Sequence, residues 1–113
     1  MYVSLTLEFL NTVSLFQEHI NFPDTKEADL SSEERRAVDR YFYFSNLEYV
    51  LIKHGTVDPS MVAQWLRGIK SSARKRCLVE RWQSTASKFT LDEGFREFFE
   101  QAIREVQPKQ EAA

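Results

Sequence analysis

Apolar residues recur every three or four positions along most of this chain, and the densest stretch runs from Tyr41 to Ile52. At about 100° per residue, Tyr41, Phe44, Leu51 and Ile52 fall on one side of a helix there. Tyr43, Leu47, Val50 and Phe42 or Tyr49 cover most of the remainder. A helix that is apolar all round needs other elements around it. Residues 32–54 are therefore expected to be a buried central helix, with Phe44 and Leu47 enclosed.

The flanking pattern supplies its cover. Val3, Leu5, Leu7 and Phe9 alternate like a strand, but Leu5, Phe9, Leu10, Val13, Phe16 and Ile20 also keep helical spacing. A lone strand would have no partner, so the spacing predicts a helix over 3–20, ended by Pro23. Residues 21–31 are polar and read as a loop. Ser31-Ser32-Glu33-Glu34 has the form of a capping box, and Gly55 is placed to end the helix that follows. Asp58-Pro59 then opens a helix whose stripe is Met61, Val62, Trp65, Leu66, Ile69 and Ala73. Leu78, Trp82, Ala86 and Phe89 lie about half a turn out of phase with that stripe, which predicts a break or strong bend near Ser71–Ala73. Thr90-Leu91-Asp92-Glu93 reads as a second capping box. It precedes the stripe Leu91, Phe95, Phe98, Phe99, Ala102, Ile103 and Val106. The expected fold is all-α: a compact bundle of about five helices in one domain, 1–107, with a frayed tail over 108–113.

Composition agrees with helix and narrows the class. Three Gly and three Pro among 113 residues are few breakers. Fifteen basic and seventeen acidic residues give a slightly acidic chain, which argues against a dedicated nucleic-acid binder. The single cysteine, Cys77, leaves no internal disulfide and fits a reducing compartment. No apolar run approaches the roughly 20 residues of a membrane span, and residues 1–8 lack the flank and apolar block of a secretion signal. A cytoplasmic protein is the expectation.

Catalytic chemistry finds little to stand on. Glu48 points into an apolar face, so a partner is expected, an arginine or a tyrosine hydroxyl; it reads as a structural ion pair or a carboxylate reaching the edge, and a tuned acid or base is the functional alternative. No second carboxylate or histidine is spaced to complete an acid–base pair with it. His19 and His54 end different helices and form no metal-ligand spacing, so neither a metal nor a cofactor is expected. Cys77 follows Arg74-Lys75-Arg76, but without a positioned base it reads as a buried thiol. No phosphate loop or nucleophile elbow is present.

The basic tract carries more. Arg67, Lys70, Arg74, Lys75, Arg76, Arg81 and Lys88 face one acid, Glu80, within residues 67–88. Such a cluster can neutralise phosphates, pair with acidic segments of its own chain, or meet an acidic protein.

Several pieces resemble an uncharacterised family of small bacterial all-helical domains: Arg40-Tyr41-Phe42, Asn46-Leu47-Glu48-Tyr49, Val57-Asp58, Trp65-Leu66, Gly68-Ile69, Trp82 and Phe95 with Phe98. They span about residues 33–103. The resemblance implies a helical fold and supplies no mechanism. Such domains often follow a membrane helix, and the first segment, short and carrying Glu8, does not provide one.

The reading that remains is a non-enzymatic protein-interaction or regulatory domain. Its size and charge suit a phage- or plasmid-encoded inhibitor of a host protein, or a bacterial regulatory subunit. A protein partner is expected on Arg67, Lys70, Arg74, Lys75, Arg76 and Arg81. Nucleic acid on the same tract is the alternative, and a homo-oligomer is left open.

Overall fold

The computed structural model describes residues 23–112, with side chains as far as Val106. Among them run four α-helices: α1 (Ser32–Lys53), α2 (Pro59–Ser72), α3 (Arg76–Thr85) and α4 (Glu93–Ala112). Short 3-10 turns at Glu27–Asp29 and Ala86–Lys88 flank α1 and α3. No strand occurs among the described residues, and α1 packs against each of the other three helices. The helix expected over 3–20, the fifth of the bundle, lies outside the described residues.

Local signals place most of the boundaries. Ser31 Oγ accepts from the Glu34 N–H at 3.1 Å, and Glu34 Oε1 accepts from the Ser31 N–H at 2.9 Å, so the capping box closes in both directions. Replacing Ser31 by Ala is expected to cost about 1 kcal/mol in chemical denaturation, because the N–H of Glu34 loses its acceptor. At the other end Gly55 takes φ +73°. The Thr56 N–H reaches Leu51 O and the Gly55 N–H reaches Ile52 O, two bonds that satisfy the last carbonyls of α1. Asp58 caps α2 by accepting from the Ser60 N–H, with Pro59 at the first helical position.

The break near Ser71–Ala73 is present: α2 ends at Ser72 and α3 starts at Arg76. Ser72 Oγ donates to Ile69 O at 2.6 Å and Ser71 Oγ to Gly68 O at 3.0 Å, local bonds that compete with helix propagation. Lys75 is extended, and the freed Arg76 N–H donates to Pro23 O at 3.2 Å.

Two boundaries differ from expectation. Thr90 and Glu93 do not form a box; Asp92 caps α4 instead, its Oδ2 accepting from the N–H groups of Gly94 and Phe95. The Asp92 N–H is in turn held by Asn46 Oδ1 at 2.8 Å, which ties the start of α4 to α1. An added Cβ at Gly94 would lie 3.0 Å from Asp92 Oδ2 and 3.1 Å from the Tyr49 ring, so a larger residue there would make one of these side chains shift. At its far end α4 continues through Pro108 to Ala112, past the tail expected from 108. Proline removes one donor, but extending an established helix is far easier than nucleating a new one.

The core is aromatic and sits between α1, α3 and α4. Phe42, Trp82, Phe95 and Phe99 are each at most 2 % exposed. Trp82 lies 5.2 Å from Phe42 and 4.7 Å from Phe99 between ring centroids, within the range of favourable edge and tilted contacts. Val38, Ile69, Cys77, Leu78 and Ile103 extend it.

This placement corrects the reading of α1. Its buried residues, Glu34, Ala37, Val38, Tyr41, Phe42, Ser45 and Glu48, form one stripe. Tyr43 and Leu47 are 46 % and 43 % exposed, and Phe44 is only half-buried. Among the described residues α1 is therefore one-sided, not enclosed. The core takes Phe42 and Tyr41 and leaves the opposite apolar side chains outside it.

Candidate interaction surface

The expected site residues do not gather on one face. Arg81 makes a two-pronged pair with Asp39 on α1, Nε to Oδ1 at 2.8 Å and Nη2 to Oδ2 at 2.7 Å. It also meets Glu27 at 3.4 Å, and Glu27 in turn pairs with Arg35 at 3.0 Å. Donating to Asp39 raises the Arg81 pKa further above its already high value. Arg76 pairs with Glu80 at 3.2 Å, while Glu80 also accepts from the Glu27 N–H at 2.8 Å. That backbone bond is the main cause holding the Glu80 carboxyl below its ordinary range. These charges fasten α3 to α1 and to the turn before it.

Lys70 pairs with Glu105 at 2.9 Å, and Lys75 is half-buried, its pKa lowered by burial. Arg67 and Arg74 are exposed and have no ion-pair partner among the described residues. Together with Lys70, Ser71, Glu105 and Val106 they line a hollow of about 490 Å³. The tract is thus divided between structural pairs on α3 and a small basic hollow between the end of α2 and α4.

Glu48 is buried, 9 % exposed, and neither an arginine nor a tyrosine hydroxyl bonds to its carboxylate among the described residues. Burial raises its pKa to about 7. Its charge acts on Tyr41, whose own pKa is raised first by burial while bonds to Ser72 and Ser45 lower it. Glu48 lies on the buried stripe of α1, and no second carboxylate is coupled to it among the described residues. Cys77 is fully buried, and burial pushes its thiol pKa up despite nearby Lys75. His54 is exposed at the end of α1; His19 lies outside the described residues. Among the described residues no three His, Cys, Asp or Glu side chains gather into a metal-binding group, and no helix is long and apolar enough to cross a membrane.

The outer side of α1 was not singled out by sequence reasoning. Arg36, Arg40, Tyr43 and Leu47 follow one another at spacings of four, three and four, so they share one line along the helix. All four are exposed, and neither arginine has an ion-pair partner among the described residues. The Tyr43 ring leans on Phe89 with centroids 5.2 Å apart, which holds it in place on the surface. The signal was in the spacing, but it was hidden because Tyr43 and Leu47 were assigned to the core.

No family model, curated protein or solved structure matches the chain.

Proposed function

We propose that this chain is a non-enzymatic protein-interaction domain, and that the outer stripe of α1 is its contact surface. One observation carries the reading: Tyr43 and Leu47, large and exposed, stand in line with two arginines that have no ion-pair partner among the described residues. Tyrosine and arginine are the residues most enriched at the energetic centres of protein interfaces, where an apolar anchor is ringed by polar groups. The arginines favour a partner that is acidic beside an apolar pocket. The basic hollow of Arg67, Lys70 and Arg74 is a second, smaller contact of the same sign.

The phosphate-binding alternative loses support from the ion pairs. Arg76 and Arg81 are engaged by Glu80, Asp39 and Glu27, so those acids would lie beside any backbone approaching the tract. Catalysis gains nothing from Glu48, which has no acid–base companion among the described residues.

Affinity capture on the immobilised chain tests the reading. Tyr43→Ala with Leu47→Ser is expected to abolish retention of a stoichiometric protein partner while leaving the helical circular dichroism unchanged. Retention that survives this pair but is lost on Arg67→Ala with Arg74→Ala would move the contact to the hollow.

A further inference from the structure

Between α4 and the end of α3, with the turn that follows it, lies a hollow of about 530 Å³. Trp82, Ala86 and Ile103, all buried, form its floor, and Arg96, Glu100 and Arg104 of α4 stand around it. The Trp82 indole Nε1 is buried and has no hydrogen-bond acceptor among the described residues. We propose that this hollow binds a small monocarboxylic acid with an apolar tail, its carboxylate accepting from the Trp82 N–H and the Arg104 guanidinium.

Three observations name this class of ligand. The first is the unmet donor. A buried tryptophan ordinarily gives its N–H to an acceptor, and leaving that donor dry and unpaired costs free energy. Trp82 cannot turn to find one, because Phe42, Phe95 and Phe99 hold its ring at centroid distances of 5.2, 5.8 and 4.7 Å. An acceptor therefore has to come to the ring. The second is charge. Arg96 and Arg104 have no ion-pair partner among the described residues. Arg96 donates to Phe89 O, while Arg104 holds only the side-chain oxygen of Gln101, its neighbour on the same helix. A guanidinium meets a carboxylate with two parallel, charge-assisted bonds, a stronger arrangement than its present one with an amide. Glu100 lies one turn before Arg104 and repels a second negative charge, which favours a monocarboxylate over phosphate or a dicarboxylate. The third is shape. Ala86 and Ile103 give the hollow an apolar wall, and its size falls within the roughly 300–1,000 Å³ of small-molecule sites. No residue of the outer stripe of α1 takes part, so this inference and the proposed partner surface stand or fall separately.

The two indole N–H signals of the full chain, read by heteronuclear NMR, test it, with Trp65→Phe assigning the one from Trp82. Titration with hexanoate is expected to move the Trp82 signal along a saturable curve, whereas methyl hexanoate and inorganic phosphate leave it in place. Arg104→Gln is expected to weaken hexanoate several-fold, and Glu100→Gln to tighten it. Both side chains are exposed, so the rest of the spectrum should show the parent fold in each variant. No saturable shift with hexanoate would overturn the proposal, as would an equal shift with the ester or with phosphate. Hexanoate binding that is indifferent to Arg104→Gln would place the ligand elsewhere and overturn it too. A Trp82 N–H that exchanges magnetisation with a long-lived water and ignores hexanoate would assign its acceptor to that water, against the proposal.

Discussion

Phe42→Ala is expected to lower the free energy of unfolding by about 3–5 kcal/mol, a large part of the roughly 5–15 kcal/mol that holds a domain together. Phe42 is fully buried, with ring centroids of Trp82, Phe99 and Phe89 at 5.2, 5.7 and 6.3 Å. Removing it leaves a cavity that these rings cannot all collapse into, since each also packs on others. Phe44→Ala, two residues on, removes a half-buried ring and is expected to cost about 1 kcal/mol. Urea titrations of the two variants measure the contrast. Equal losses would mean that the core does not lie on the Phe42 side of α1.

Glu48 produces the second large effect, and its sign is opposite to that of a salt-bridged carboxylate. Burial raises its folded pKa from an ordinary 4.5 to about 7. Between those two pH values the folded chain keeps a proton that the unfolded chain has released. Stability from this group is therefore fully present below about pH 4.5 and falls as pH rises towards 7. Glu48→Gln carries no charge at any pH. It is expected to be more stable than the parent by about 2–3 kcal/mol at pH 8, a figure already reduced for partial contact with solvent. The gap should close by pH 4. Asp58, Asp92 and Glu80 have lowered pKa values and push the other way, losing their contribution as pH falls. They are common to both proteins, so the difference between the two pH–stability curves isolates Glu48. A parent that is as stable as the variant at pH 8 would mean that Glu48 has a partner or reaches water.

The reason Glu48 was read only in part lies in what spacing can reveal. Its direction on α1 follows from the helical period, and that direction proved right. Whether a partner meets it depends on which side chains pack opposite, and no arginine pairs with it among the described residues. The helix ends were more legible because caps are local: Ser31 with Glu34, Gly55, and Asp58 with Pro59 act within a few residues of themselves. Asp92 shows the limit of that rule. Two overlapping capping patterns were possible at Thr90–Glu93, and the bond from the Asp92 N–H to Asn46, a residue of α1, goes with the later one.

The larger misreading was of Tyr43 and Leu47. Aromatic and aliphatic side chains all round a helix look like a buried helix, because the pattern does not distinguish a core face from a contact face. Only the packing of Phe42 against Trp82 and Phe99 fixes which side of α1 is the core. The basic tract failed for a related reason. A run of arginines reads as one patch, yet Asp39 and Glu27 are distant in sequence and take up Arg81.

The most direct test of the outer stripe of α1 as a contact surface is site-specific photo-cross-linking in native lysate. A benzophenone side chain is placed at Tyr43, and in a second protein at Ser87, which is exposed on the turn after α3. One discrete adduct with another protein is expected from position 43, absent from position 87 and lost when Arg40→Glu is added. Adducts of equal yield from both positions, or an adduct at 43 that is indifferent to Arg40→Glu, would contradict it.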